Sequence, residues 1–597
     1  MAKGYKSGAE KVKWNLSDLY GALDDPAIES DLTEADERAV RLAETYRTKV
    51  AGLSAEEMLQ LLREYEAILD CSGRVGTYAY LTWSTNSEDS ARGALLQKAT
   101  ERASRLNQKL LFLELEWAKA PDERAEELIS SSHLKHYHHW LEVTRIYRPY
   151  LLSEQEEKIL SEKSISGRSA WVRYFGEVHG AARYDWEGER VPQSSILNKL
   201  YDPDRSVRER AASSFSSGLR SLLRTNTYIF NTILADKSSD DGLRGYPSWI
   251  SARNLDNQVD DTSVDALIGA VTSRYDIVAR YYRLKRGLLD LDELKDYDRY
   301  APLPASDRRY SWSEARDSVL SAYTEFHPQM GGIAEEFFQK QWIDAAIQPG
   351  KRGGAYSHGA VPSVHPYLFL NYEGTPRDLM TLAHEMGHGI HQMLSREQGI
   401  LQADTPLTTA ETASVFGEML LFQDLLSKEK DPKVRLSMLV SKIEDSFATV
   451  FRQVAMNRFE HSIHEARRSE GELSTDRLNE IWYSTQRDVF ADSVTLTEDY
   501  RLWWSYIPHF IHSPGYVYAY AFGELLVLAL HTRYREMGAS FPELYFNLLK
   551  AGGSDWPHTL VKPFGVNLKD PGFWHNGLST LEGLVEQAEE LAETAHS

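Results

Sequence analysis

His384-Glu385-Met386-Gly387-His388 holds two imidazoles four residues apart with a carboxylate beside the first. On a helix that spacing sets both histidines one turn apart on one face, the zinc-peptidase arrangement. Zinc takes the two neutral imidazole nitrogens. Glu385, too far round the helix to share that bond easily, can instead reach a water at the metal and take its proton.

A catalytic zinc needs a third protein ligand and an open position for water. The metzincin pattern would place Gly three residues after the second histidine and a third His three further on, where this chain has His391 and Leu394. The third ligand must therefore come from elsewhere, and a glutamate on a second helix is the better candidate. Thr408-Thr409-Ala410-Glu411 reads as a capped helix start, with Glu411 in its first turn and Glu418 two turns later on the same face. One of the two can bind the metal while the other supports a ligating histidine. The loop from about Gly399 to Pro406 is long enough to bring that helix back across the first.

The elements that must position these groups are legible. Thr375-Pro376-Arg377-Asp378 is a helix start, with a Thr cap, Pro at the first helical position and an acid near the positive end of the dipole. Leu379, Met380, Leu382, Ala383, Met386, Ile390, Met393 and Leu394 supply a broad apolar face, so both histidines lie mid-helix. Gly387 and Gly389 weaken that helix by about 1 kcal/mol each relative to Ala, a cost understood if another backbone or a substrate approaches closely. Just upstream, glycine-rich Gly350–Gly359 and aromatic Pro366–Tyr372 predict a small β-element, whose edge either pairs with an extended peptide or merely closes a loop.

Elsewhere the pattern is helical. From about Asp31 to Ile129 apolar residues recur at helical spacing, as in Met58, Leu59, Leu61, Leu62, Tyr65 and Leu69. Ser153 and Glu156 form a capping-box pair, Ser164–Arg168 breaks the helix that follows, and Asp202–Arg210 reads as a turn into another helix with Asp204 as cap and a solvated charged face. The expected fold is mainly α with a minor sheet.

With 597 residues, 42% hydrophobic and 26% charged, the chain is an ordinary globular composition large enough for several domains or one large shell around a cavity. A net charge of −21 argues against nucleic-acid and anionic-membrane partners, which need a basic footprint. Cys71 stands alone, so no intrachain disulfide and no cysteine-rich zinc site can form, as suits a reducing compartment. No stretch is apolar for long enough to span a bilayer and the polar N-terminus lacks an apolar signal region, so a cytoplasmic protein is expected.

Four motifs now stand in order: Gly350-Lys351-Arg352-Gly353-Gly354-Ala355-Tyr356-Ser357, His384–His388, Glu411-Thr412-Ala413-Ser414, and Ile507-Pro508-His509-Phe510 leading to Tyr516–Tyr520. Together they resemble the thimet-oligopeptidase-like zinc metallopeptidases, most closely their oligoendopeptidase F branch. The resemblance divides the chain into an N-terminal helical region (1–110), the branch's N-terminal helical domain (111–200) and a catalytic domain (201–597). It implies a large helical shell of two halves around a deep channel for short peptides, one Zn2+ per chain held by His384, His388 and Glu411, and Glu385 as general base. It favours His509, Tyr516 and Tyr520 as hydrogen-bond donors to the oxyanion formed as hydroxide adds to the peptide carbonyl. Packing of a large aromatic core, with Trp503, Trp504 and Tyr506, is the other role open to these rings. The spacing from His509 to Tyr516, with an extra histidine at His512, departs from the thimet oligopeptidase pattern. Gly353, Gly354, Ala355, His358, His512 and Tyr518 are candidates to meet substrate. The expected function is hydrolysis of internal bonds in oligopeptides. A zinc carboxypeptidase or peptidyl-dipeptidase, or a non-enzymatic peptide-binding protein with a structural metal, are the alternatives.

Overall fold

The helix starts read at Ser153, Asp204 and Thr375 are ones the chain uses. In a computed structural model that describes residues 5–303 and 308–596, 72% of the chain is helical and 3% is strand, so the mainly α expectation holds. Ser54 and Glu57 close a capping box ahead of Ala55–Thr85, and Met58, Leu61, Leu62, Tyr65 and Ile68 are the stripe that helix buries. Leu59 and Leu69 pack half-buried at its margin. Ser153 and Glu156 cap Glu154–Ser164 in the same way.

The chain divides into two compact units, each assembled from three stretches. One comprises Met1–Arg148, Asp307–Lys428 and Arg533–Val566; the other comprises Pro149–Ser306, Glu429–Thr532 and Asn567–Ser597. The division at residues 110 and 200 follows resemblance along the sequence, whereas these units follow packing. None of the helices among the described residues is long and apolar enough to cross a membrane.

In the second unit Asp204 caps the 40-residue helix Arg205–Arg244 by accepting the Ser206 N–H at 2.8 Å. The solvated-face reading of Asp202–Arg210 fails at two positions. Arg205 and Arg208 both reach Asp298, at 2.8 and 2.9 Å, and the Asp298 side chain is fully buried. The partner lies about ninety residues away, so nothing local in the sequence marks this cluster. The core beside it is aromatic: Trp503 donates to Ser216 Oγ at 2.9 Å and Trp504 to Asn479 Oδ1 at 2.8 Å, which places both indoles in packing, with Tyr506 against the same cluster.

In the first unit the predicted β-element is a three-stranded sheet. Tyr367–Phe369 is central, paired antiparallel with the edge strand Tyr356–His358 and parallel with Ile343–Asp344, a third strand not foreseen. Lys351 ties the glycine-rich loop to this sheet: its buried ammonium bonds Asp344 Oδ1 at 2.5 Å and the Ala346 and Leu370 carbonyls at 2.8 and 2.7 Å.

Candidate metal centre

Thr375 and Asp378 reciprocally cap Pro376–Ser395, with Thr375 Oγ1 accepting the Asp378 N–H at 3.1 Å and Asp378 Oδ2 accepting the Thr375 N–H at 2.9 Å. The helix buries Leu379, Leu382, Ala383, Met386, Ile390 and Leu394 and so holds His384 and His388 mid-helix, as the pattern predicts.

The glutamates arrive differently from expectation. The second helix starts at Leu407, ahead of Thr408, and breaks at Glu411 before resuming as Thr412–Lys428. Glu411 therefore sits at a junction between two helical pieces, with φ −82° and ψ 0°. The close approach that brings it to the histidines is made possible by Gly387. A Cβ there would lie 2.4 Å from the Ala413 carbonyl oxygen and 2.6 Å from Ser414 Cα, so the two backbones meet where only glycine fits. Gly417 makes room in turn for Tyr323, whose hydroxyl donates to the Ala383 carbonyl at 2.9 Å.

Glu411 Oε2 lies 3.4 Å from His384 Nε2 and 3.4 Å from His388 Nε2. The three side chains can present one ligand atom each within 4.8 Å of one another, a donor set of two imidazoles and a carboxylate that suits zinc. Glu418 Oε2 stands 3.4 Å from His384 Nδ1, so that nitrogen can donate while Nε2 keeps its lone pair toward the centre. Ser414 Oγ donates to Glu411 Oε2 at 2.7 Å, a support that the sequence signals only as a local i, i+3 pair.

The electrostatics agree with a cation site. Burial alone would push the His384 imidazole down, yet Glu411 and Glu418 hold it up at about 10. Burial would likewise raise the Glu411 carboxyl, but His384 and His388 hold it well below the usual carboxylate range. A divalent cation would displace the His384 proton and pair with the Glu411 carboxylate. Glu385, 7% exposed, is pushed up by burial, with His384, His388 and the Ser357 backbone pulling it partly back. His391 is buried and pushed down to about 3, first by burial and then by His388.

A family model described as Peptidase family M3 matches residues 199–580 of the chain. The chain belongs to peptidase family M3. It is therefore a metalloendopeptidase. A second model, described as Oligopeptidase F, matches residues 116–184. This M3 peptidase is 28% identical to oligopeptidase PepF of Bacillus subtilis (strain 168), over 97% of this chain and 87% of that protein. Its fold is similar to the crystal structure of a Chlamydophila abortus protein, with TM-score 0.87, 24% identity and coverage of 98% and 99% of the two chains. It is also similar to oligoendopeptidase-F from Enterococcus faecium, with TM-score 0.71, 22% identity and coverage of 95% and 99%.

The other expected site residues of the M3 peptidase divide by unit. In the first, the loop before the edge strand is shaped by Asn371, whose Nδ2 donates to the Arg352 and Gly354 carbonyls at 2.9 Å each. Gly354 has φ +87°, which explains its glycine, whereas a Cβ on Gly353 would face open space. Ala355 is half-buried between that loop and the strand. His358 is half-buried, pushed down to about 4 by burial, and accepts the Ala360 N–H at Nδ1 (3.0 Å). Ser357 and Gln392, neither foreseen, join the edge strand to the histidine helix through a 2.6 Å side-chain bond.

In the second unit His509, Tyr516 and Tyr520 do come together. Tyr520 Oη is 3.5 Å from His509 Nε2, and the Tyr516 and Tyr520 rings lie 5.1 Å apart edge to face. His509 is pushed down by burial and by the charges of Arg452 and His512. Tyr518 is placed otherwise: it is fully buried, and its hydroxyl donates to Asn254 Oδ1 at 2.7 Å and accepts from Asn257 Nδ2 at 2.8 Å. Tyr518 thus packs inside the unit, at the start of the helix Tyr518–Met537; alternation along Tyr516-Val517-Tyr518-Ala519-Tyr520 gave no sign of that helix. His512 is exposed, with its ring beside Phe175.

Proposed function

We propose that this chain is a cytoplasmic zinc-dependent endopeptidase that cleaves internal bonds of short oligopeptides, with one zinc held by His384, His388 and Glu411. The observation that carries the reading is the convergence of those three side chains with Glu385 beside them and Glu418 behind His384. Zinc bound there would supply Lewis acidity for a peptide carbonyl and a more acidic water. Glu385 takes the proton of the attacking water and returns it to the leaving amine; its burial raises its affinity for that proton. The role of donor to the developing oxyanion goes, by family resemblance, to Tyr520 and His509, beside which Tyr516 packs. Gly353, Gly354, Ala355 and His358 line the approach of the peptide, and the absence of a side chain at Gly353 leaves room for its backbone. Oligopeptides are the substrate class that the name of the Bacillus subtilis relative suggests.

The test uses peptides blocked at both ends and their unblocked counterparts, followed by mass spectrometry with zinc-loaded and chelator-treated protein. Cleavage of blocked peptides at internal bonds is expected, and its restriction to free C-termini would make the enzyme a carboxypeptidase or peptidyl-dipeptidase. Glu385→Gln should retain zinc and lose turnover by at least about 10²-fold. Full activity in metal-replete Glu385→Gln protein would remove Glu385 from the role of base.

A further inference from the structure

The second unit contains a cavity of about 160 Å3 lined by Arg299, Arg452, Tyr300, Gln486, Phe490 and Glu444. Arg299 is 8% exposed, yet all its hydrogen bonds go to uncharged acceptors: Nε to the Asp296 carbonyl at 3.0 Å, and a terminal nitrogen to Tyr500 Oη at 3.1 Å and Tyr300 Oη at 3.5 Å. Arg452 makes no hydrogen bond to any described residue. Neither guanidinium has a carboxylate within ion-pair distance among the described residues. The Gln486 side chain is buried and its Nε2 has no hydrogen-bond partner.

The carboxylates nearby are committed or wet. Glu444 pairs with the buried Lys285 ammonium and accepts the Tyr281 hydroxyl at 2.5 Å. Asp296 accepts the Thr497 N–H at 2.7 Å; burial raises its carboxyl, while that bond and the charge of Arg299 pull it back. Asp445, also on the lining, is exposed to solvent, which screens its charge. The excess of positive charge is felt by Tyr300: burial should raise its phenol, but Arg299 and Arg452 bring it below its ordinary value. A buried guanidinium with no ion-paired carboxylate, as at Arg299, is costly, and a cavity edged by it, by the half-buried Arg452 and by an amide donor is a place for an anion. The volume decides its size, being well under the ~300–1,000 Å3 of pockets that enclose drug-sized ligands.

We propose that this cavity binds a small monovalent anion, of the size of chloride or a short carboxylate, through the guanidiniums of Arg299 and Arg452 and the side-chain amide of Gln486. Because the charge of Arg452 reaches His509, an anion beside it lies within electrostatic reach of the His509 and Tyr520 cluster.

The test starts from full-length protein freed of chloride and titrates potassium acetate, potassium chloride and potassium gluconate at matched ionic strength while the melting temperature is followed. A saturable rise with acetate or chloride but not with bulky gluconate is expected, and the two arms separate a carboxylate from a halide. The apparent affinity should weaken at least tenfold in Arg452→Met and in Gln486→Leu. The second variant removes a donor without removing a charge, so it decides the matter if the first does not fold. A bromide-soaked crystal should carry an anomalous peak beside the two guanidiniums. Identical titrations in wild type and Gln486→Leu, or equal effects of all three salts, would overturn the proposal. So would a tyrosinate absorbance at neutral pH that disappears in Tyr300→Phe, since the Tyr300 phenolate would then be the counter-charge.

Discussion

Gly387→Ala isolates the contact that builds the metal centre. A Cβ at this position would stand 2.4 Å from the Ala413 carbonyl oxygen, 2.6 Å from Ser414 Cα and 2.7 Å from the Ala413 carbonyl carbon. All three are backbone atoms, so no side-chain rotation relieves the clash. Carbon contacts relax near about 3.5 Å, which requires the start of Thr412–Lys428 to retreat by about 1 Å. For stability the terms nearly offset: Ala is favoured over Gly in a helix interior by about 1 kcal/mol, while overpacking costs about 1–3 kcal/mol, leaving a net loss of roughly 0–2 kcal/mol. For the metal they do not offset. Glu411 lies two residues before Ala413, and ligand distances tolerate about 0.2 Å, so a displacement of about 1 Å takes Oε2 out of range of His384 and His388. The expected result is a folded protein whose zinc affinity falls by at least about tenfold, measured by competition with a colorimetric chelator. Gly353→Ala, where a Cβ meets no atom within 4 Å, is the control and should bind zinc normally. A folded Gly387→Ala protein that binds zinc as tightly as wild type would refute the reasoning.

Three further outcomes follow from particular contacts. Glu418→Ala removes the acceptor 3.4 Å from His384 Nδ1 and should weaken zinc binding about 10–100-fold by the same competition assay. Tyr520→Phe should lower kcat about 10²–10³-fold with little change in KM; an unchanged kcat would return the phenol to packing. Glu460, 1% exposed, accepts the Gly515 N–H at 2.9 Å through one oxygen while the other has no partner, and burial pushes its carboxyl up to about 8. The folded state therefore keeps a proton that the unfolded chain releases above its ordinary value, so this contribution is full in acid and is lost as pH rises toward about 8, amounting to at most about 4–5 kcal/mol. In urea unfolding at about pH 5 and about pH 8, Glu460→Gln should show a smaller fall in stability than wild type, and equal falls would contradict the assignment.

How far each feature could be read ahead depended on how local its cause is. The caps at Ser153 and Thr375 involve residues three apart, and both launch helices; the box at Ser54 is equally local and was not read. The histidine pair is likewise a property of one helix. The break of the second helix at Glu411 was not legible, because it arises where Thr412–Lys428 meets the backbone beside Gly387. The strand Ile343–Asp344 was missed since two residues carry no period, and only its parallel partner Tyr367–Phe369 makes it a strand. Tyr516, Tyr518 and Tyr520 are alike in sequence, yet Asn254 and Asn257, some 260 residues earlier, claim the Tyr518 hydroxyl.

What the sequence alone determined is therefore the helical class, the placement of His384, Glu385 and His388 on one capped helix, and the candidacy of Glu411 and Glu418. Periodicity, capping and i, i+4 geometry act within one element and need no tertiary partner. What only tertiary structure decided is the assignment among equals. It set the Glu411 oxygen facing both imidazoles with Glu418 behind His384, the burial that raises Glu385, and two arginines on one cavity with no ion-paired carboxylate among the described residues. Those are matters of distance and desolvation between residues far apart in the chain, and both arise only once the chain has packed.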